Sequence, residues 1–346
     1  LRIRDGLQNY MIELKENERI DYMLGEQLKI IQDGQSFAFS LDTLLLAYWA
    51  KEAIKNRSRV VELCSGNAAA SLYMAAFNKA HYDDVELQED MVSKARRSVE
   101  LNDMQDRITV YQGNVKDAGS FLRKDSYDVV VVNPPYFKAP AGHKLNPDRS
   151  KAIARHELEI NLEEIIAVSA GLLKMKGKMF MVHRPERLGE IINYGFKHDL
   201  AVKTVQPFVS RRGQDANLVI VEAVRSGKGD GLVLRDAIEV HEADGSNTPA
   251  IKEILEAKLP EEKHYFYVLL CSDGSFYGGY TNDLKKRLEA HNSGKGAKYT
   301  KSRRPVEMIY LEEYADKRTA MQREYWFKHH DRAWKEKFLH EQGVKF

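Results

Sequence analysis

Between residues 42 and 224, short apolar runs rich in β-branched residues alternate with amphipathic segments. Runs at 59–64, 84–87, 108–111, 127–132, 178–183 and 218–223 have the alternating or continuously apolar pattern of strands. Segments 68–78, 89–102, 162–173 and 185–194 have the pattern of helices. Parallel strands need crossover connections of helical length, so strict alternation predicts an α/β fold with a doubly wound, mostly parallel sheet. Ligands of such sheets bind beyond the carboxyl ends of the strands. The residues directly after each strand are therefore where chemistry is expected.

A second pattern begins near residue 260. Gly227-Lys228-Gly229-Asp230-Gly231 and Asp244-Gly245-Ser246 are turn-rich, and Leu259-Pro260-Glu261-Glu262 reads as a charged linker. Beyond it, strands at 265–271 and 276–280 flank the turn Ser272-Asp273-Gly274-Ser275. A helix at 283–291, a strand at 307–312 and a helix at 318–329 follow, which is a small α+β unit. The expected division is a first domain over 11–257, a linker over 258–263 and a second domain over 264–346. Leu1 is an unusual first residue and Met11 a more convincing start, so residues 1–10 are expected to be an extension with no fold role.

Composition bounds what these units can be. The chain has 346 residues, 43% apolar and 30% charged, and its net charge is +2. From Glu261 onward there are 17 Lys/Arg against 13 Asp/Glu, a net +4, which leaves −2 for residues 1–260. Lys285 to Arg304 holds eight basic residues and one acid, Glu289, a local field able to attract phosphates or simply a solvated, charged surface. Cys64 and Cys271 are the two cysteines, too few for a disulfide framework or a cysteine zinc site. No apolar run reaches the roughly 18–20 residues of a membrane span. The expected location is cytoplasmic, with no membrane partner.

The strand ends carry a coherent set of groups. Val60-Val61-Glu62-Leu63-Cys64-Ser65-Gly66-Asn67 is a strand running into a small-residue turn that lets a ligand approach the backbone. Twenty residues after Gly66, Glu86 ends the next strand, where a carboxylate can accept two ribose hydroxyls; a charge at a helix start is the plainer alternative. Gly113-Asn114 follows the third strand and could meet an adenine ring. Asn133-Pro134-Pro135-Tyr136-Phe137 follows the strand at 127–132. Two prolines remove donors and fix the turn, Asn133 supplies a side-chain acceptor and Tyr136 an aromatic face, a set suited to a planar amino group. Hydrogen bonds from that amino group to Asn133 and to the Pro134 carbonyl would draw its lone pair out of ring conjugation toward an electrophilic methyl group. No general base is needed, because the methylated nitrogen becomes acidic and loses its proton to water.

On these residues, 11 to about 257 resembles the class I S-adenosylmethionine-dependent methyltransferases that modify amino groups, whose fold is Rossmann-like. More narrowly it resembles the tRNA(adenine-N6)-methyltransferases that act on adenosine 37 of valine tRNA. The resemblance rests on Phe37-Ala38-Phe39-Ser40-Leu41-Asp42, Glu62 to Asn67, Val85-Glu86-Leu87-Gln88, Asn133 to Phe137, Ala154-Arg155-His156-Glu157 and His183-Arg184-Pro185. It implies S-adenosylmethionine as cofactor, held by Phe39, Asp42, Glu62, Ser65, Gly66, Asn67, Glu86, Asn114 and Asn133. Catalysis falls to Asn133, Pro134, Pro135 and Tyr136, and the partner is tRNA. Arg155, His156, Glu157, His183 and Arg184 are equally read as RNA contacts or structural groups. Two positions depart from the family pattern. Ala68 replaces a glycine, which would weaken cofactor binding if it faces the cofactor and favour the helix if it only opens it. Asn114 replaces a common aspartate.

In the second unit, Tyr265-Phe266-Tyr267 and Tyr277-Gly278-Gly279 put tyrosines on paired strands, with Arg287 and His291 on the next helix and Glu324 on a later one. Singly these are packing residues. Together with Asn282 to His291 and Ser293 to Thr300 they resemble the GIY-YIG nuclease superfamily over about 263–340. That resemblance assigns Glu324 one Mg²⁺ or Mn²⁺, Tyr267 or Tyr277 water activation, and Arg287 stabilisation of phosphorane-like charge. Lys285 to Arg304 would meet nucleic acid. The chain thus reads as a tRNA adenine-N6 methyltransferase fused to a GIY-YIG nuclease-like or nucleic-acid-binding module. Two alternatives stay open: a glutamine-amide protein methyltransferase using the same Asn-Pro-Pro-Tyr chemistry, and a nucleic-acid-binding protein whose methyltransferase half has decayed.

Overall fold

In the computed structural model, the described residues are 2–4, 11–34, 39–136, 159–260 and 263–346. Phe37, Ala38, Phe137, the polar stretch 138–150 and Ala154-Arg155-His156-Glu157 lie outside them. The chain divides into two compact units, Leu1–Leu259 and Pro260–Phe346.

The first unit is built on a sheet of strands β3 (Arg59–Leu63), β4 (His81–Glu86), β5 (Ile108–Gln112), β6 (Tyr127–Val132), β7 (Leu173–His183), β8 (Leu200–Val209) and β9 (Ala216–Arg225). Their spatial order is β5-β4-β3-β6-β7-β9-β8, continued by two-residue strands beside β8. Neighbours from β5 to β7 are parallel. Strand β9 is inserted antiparallel between β7 and β8. The order reverses between β3 and β6, so the strand ends at Leu63 and Val132 flank the crevice where an open α/β sheet binds its ligand. This is the doubly wound sheet expected of a class I methyltransferase fold.

Alternation along each strand sorts its side chains into two cores. Val60, Val129, Val131, Phe180 and Val182 join one buried cluster, and Val61, Val130, Val132, Met179 and Met181 join the other. Helices α1 (Leu41–Lys51) and α2 (Ala69–Ala75) cover the first face, and α4 (Leu162–Leu172) and α5 (Leu188–Lys197) cover the second. Asn161 and Glu164 start α4 with a reciprocal capping box at 2.9 Å each way, satisfying two orphan donors. Helix α3 (Glu89–Leu101) carries the hairpin β1 (Glu18–Met23) and β2 (Leu28–Asp33), with the Ile31 amide donating to Ser98 Oγ at 2.9 Å. Helix α6 (Pro249–Leu255) closes the unit. At the start, Arg2–Arg4 pairs antiparallel with Met11–Glu13, so these residues do enter secondary structure, contrary to expectation.

The second unit has a three-stranded antiparallel sheet of β10 (His264–Cys271), β11 (Phe276–Thr281) and β12 (Val306–Tyr314), with β10 central. Phe266 and Val268 pack on helices α8 (Lys317–Lys328) and α9 (Arg332–Glu341), while Tyr267, Leu269 and Cys271 point the other way, toward α7 (Leu284–Asn292). Gly278 and Gly279 in β11 have no room for a side chain. A Cβ on Gly278 would meet the Phe327 ring at 2.9 Å, and one on Gly279 the Tyr267 ring at 2.3 Å. No helix of the described residues is long and apolar enough to cross a membrane.

Candidate functional site

In the first unit, a cavity of about 330 Å³ opens at the strand ends and brings together Phe39, Asp42, Glu62, Ser65, Gly66, Asn67, Glu86, Asn114 and Asn133 with Pro134, Pro135 and Tyr136. Glu86 is held rigidly. Its Oε2 accepts from the Gly66 amide at 2.9 Å and its Oε1 from the Gln88 amide at 2.8 Å, and with the Leu87 amide also bonded to the carboxylate one of its four lone pairs is left over. Burial raises its pKa even so. The Ser65 hydroxyl is buried on the cavity wall with no partner among the described residues. Asn67 is fixed from behind by donating to the Ile31 carbonyl at 3.2 Å, which ties the β1–β2 hairpin to the loop. The Asn114 side chain accepts from the Lys116 amide at 3.0 Å.

Glu62 serves the loop from beneath. Its Oε2 accepts from the Ser71 amide at 2.8 Å, and the Ser71 hydroxyl lies 2.6 Å from both Glu62 Oε2 and Asp84 Oδ1. One hydroxyl proton cannot serve two carboxylates, so one of the acids carries a proton of its own. Burial pushes Glu62 to about 7, and burial together with the Glu62 charge pushes Asp84 well above the carboxylate range.

Ala68 is buried but does not line the cavity, and it begins α2 at φ +66°. The expectation that alanine is favourable if it only opens the helix is therefore wrong here. A left-handed backbone costs a residue bearing Cβ about 1–2 kcal/mol. The strain falls on folding rather than on ligand contact.

Asn133 sits in a bonded chain that reaches back to α1. Its Nδ2 donates to Thr43 Oγ1 at 3.0 Å, its Oδ1 lies 2.9 Å from the Tyr136 hydroxyl, and that hydroxyl lies 3.0 Å from Asp42 Oδ2. Burial raises the Asp42 carboxyl above its ordinary range. The Tyr136 ring packs on His183, with centroids 5.3 Å apart. His183 accepts from the Arg184 amide at Nδ1, is held to about 4 by burial and then by Arg187, and is therefore neutral. Thr43 and His183 complete this turn, and sequence reasoning assigned no role to Thr43. Its signal was position alone, one residue after Asp42 on a helix the alternation did not include.

In the second unit, Arg287 Nε donates to the Tyr267 hydroxyl at 2.9 Å, and that hydroxyl lies 2.9 Å from His291 Nε2. His291 Nδ1 lies 2.6 Å from Thr300 Oγ1, and the Thr300 hydroxyl lies 3.0 Å from the Ala297 carbonyl. Tyr267 is fully buried, and burial raises its pKa to about 12. Tyr277, half-buried, packs against His291 at 5.2 Å and stacks on Tyr299 at 5.9 Å, whose ring carries the Arg303 guanidinium at 4.2 Å. Lys328 Nζ lies over the Tyr277 ring at 5.5 Å and donates to Glu324 Oε1 at 2.6 Å. The five residues singled out in sequence thus converge, and Tyr299, Thr300 and Lys328 join them. Both cysteines are free.

The fold and the cavity define a class I methyltransferase-type unit followed by a GIY-YIG unit. Residues 41–208 match the family model of the methyltransferase small domain, and residues 263–337 match that of the GIY-YIG catalytic domain. Through its second unit the chain belongs to the UPF0213 family. It is 58% identical over 87 residues to a UPF0213 protein of Bacillus pumilus, covering 25% of this chain and 89% of that protein. To UPF0213 protein YazA of Bacillus subtilis it is 58% identical over 83 residues, covering 24% and 84%. Among solved structures, a predicted O-methyltransferase from Agrobacterium tumefaciens is similar at TM-score 0.49 and 25% identity, covering 62% of this chain and 94% of that one. P. horikoshii TYW2, in complex with MeSAdo, is similar at TM-score 0.45 and 14% identity, covering 63% and 75%.

Proposed function

We propose that the first unit transfers a methyl group from S-adenosylmethionine to the N6 amino group of an adenine in tRNA, with adenosine 37 of valine tRNA as the first substrate to test. The observation that carries this reading is the placement of Glu86 and Asn133 on one cavity. The donors and acceptors present fit the cofactor. Glu86 offers its carboxylate to a ribose hydroxyl, the Ser65 hydroxyl has no partner among the described residues, and Gly66 at φ +57° lets the ligand approach the backbone. The bound cofactor would supply the electrophilic methyl group.

The chain's own part is to bind and orient the base. Asn133 Oδ1 and the Pro134 carbonyl accept the two amino hydrogens, which localises the lone pair on nitrogen, and Tyr136 presents its ring to the base. The Asn133 amide is held by Thr43 on one side and by Tyr136 and Asp42 on the other, so its orientation is set before the base arrives. The nitrogen then loses its proton to water. Purified protein incubated with cofactor and unmodified valine tRNA should yield N6-methyladenosine on mass spectrometry of the nucleosides. A protein that binds cofactor yet methylates a release-factor glutamine would move the reading to protein amide methylation.

For the second unit we propose nucleic-acid binding with phosphodiester cleavage. Arg287 would stabilise charge developing on the phosphate, and the basic stretch Lys285 to Arg304 would track the backbone. Among the described residues no three or more His, Cys, Asp or Glu side chains cluster as a metal site. Glu324 alone suits a Mg²⁺ or Mn²⁺ that takes its remaining ligands from phosphate and water. Lys328 would have to yield this carboxylate. Metal-dependent cleavage that survives Glu324→Ala would refute that assignment.

A further inference from the structure

We infer that Thr300 is a positioning residue: by ending a one-way hydrogen-bond chain on the Ala297 carbonyl, it fixes the tautomer of His291 and, through Tyr267, the orientation of the Arg287 guanidinium. The inference rests on the reading that Arg287 meets a phosphate. Its structural core can be tested without that reading.

The direction of the chain follows from counting protons. The Ala297 carbonyl, which also accepts the Thr300 amide at 3.1 Å, offers a second lone pair to the Thr300 hydroxyl 3.0 Å away, and in the arrangement without a defect the single hydroxyl proton goes there. Thr300 Oγ1 must then accept from His291 Nδ1 at 2.6 Å. His291 is fully buried, and burial followed by the Arg287 charge holds it to about 4, so it is neutral and has one ring proton. With that proton on Nδ1, Nε2 is a bare acceptor and receives the Tyr267 hydroxyl at 2.9 Å. Tyr267 Oη in turn accepts from Arg287 Nε at 2.9 Å. Each side-chain proton along the path then has an acceptor, and all four bonds point inward from the guanidinium.

The opposite arrangement leaves a defect. A Thr300 proton given to Nδ1 would put the ring proton on Nε2, aimed at a Tyr267 oxygen that already receives Arg287. The buried Tyr267 proton would then have no acceptor among the described residues and would be left desolvated and unpaired.

The backbone around the ring is shaped for this contact. Gly296 passes against the root of the His291 side chain, where a Cβ would lie 2.6 Å from Nδ1 and 2.7 Å from Cα. The Ser293-Gly294-Lys295-Gly296-Ala297-Lys298-Tyr299-Thr300 motif, left unexplained by the basic-surface reading, therefore has a second task. It folds Thr300 and Ala297 onto the back of the catalytic cluster.

The test is ¹⁵N-resolved spectroscopy of the histidine rings in the full-length chain, with His291 assigned by its loss in His291→Gln. The expected native result is a single tautomer protonated at Nδ1. Thr300→Val, which keeps the shape and removes the hydroxyl, should shift both ring nitrogens toward averaged values, and Thr300→Ser should restore the native pattern. A native Nε2–H tautomer, or a Thr300→Val spectrum unchanged from native, overturns the inference. Where cleavage is measurable, Thr300→Val should lower its rate about tenfold and Thr300→Ser should recover it. Absence of cleavage in the native chain, with the tautomer as expected, would count against the nuclease reading and leave the bonded chain standing.

Discussion

The two candidate sites solve opposite problems with similar side chains. In the first unit, polar groups converge on an open cavity and keep capacity in hand: Glu86 retains a lone pair, and the Ser65 hydroxyl has no partner among the described residues. In the second unit, Tyr267, His291 and Thr300 are buried and spend their polar groups on one another, leaving Arg287 and Tyr277 toward the surface. A cavity with unspent acceptors is built to receive a whole ligand. A satisfied chain behind one arginine is built to aim a charge at a ligand held elsewhere.

This contrast can be broken by substitution. The largest effect is expected at Asn133→Ala, which should lower methyl transfer by about 10³-fold while cofactor affinity, read by calorimetry, stays near native. Collapse of cofactor binding would reassign Asn133 to the cofactor. Arg287→Ala should lower cleavage by about 10²-fold, and Tyr267→Phe should lower it less, because Tyr267 acts through Arg287. Equal losses from both would place Tyr267 in contact with substrate.

Titration separates the units in another way. His291 is held to about 4, far below the ordinary ~6.5. Its unfolded form binds a proton that the folded form refuses, so second-unit stability should fall as pH drops from about 6.5 toward 4. In the first unit His183 acts in the same direction. Glu62, raised by burial to about 7, acts in the opposite one: its contribution is full below the ordinary ~4.3 and is lost as pH rises toward 7. Thermal melts across pH 4–7 should therefore show a steeper dependence for the second unit. The smallest effect is expected at Ala68→Gly, which should stabilise the first unit by about 1 kcal/mol in denaturant melts by relieving the left-handed backbone.

How much was legible in sequence depended on whether a signal was contiguous. The alternation gave the parallel strands, and the Asn133-Pro134-Pro135-Tyr136 turn is four consecutive residues. Helix α1 escaped because every position from Thr43 to Ala47 is buried, which erases the one-faced periodicity that marks a helix. Strand β8 carries Lys203 and Pro207, and a proline counts against a strand unless the neighbouring partner can spare the bond. The roles of Thr43 and of Thr300, which closes the Ser293 to Thr300 stretch, were not legible for a different reason. Each is one hydroxyl whose meaning lies in a bond to a distant residue, Asn133 or His291, and no local pattern records it. The meaning of Gly278 is likewise non-local, since the Phe327 ring occupies the space a side chain there would need.

Whether the first unit methylates an adenine amino group of tRNA, as proposed, is decided by nucleoside mass spectrometry of unmodified valine tRNA treated with the purified chain and cofactor. N6-methyladenosine is expected from the native chain and none from Asn133→Ala. Absence of N6-methyladenosine from a native chain that binds the cofactor would contradict the proposal.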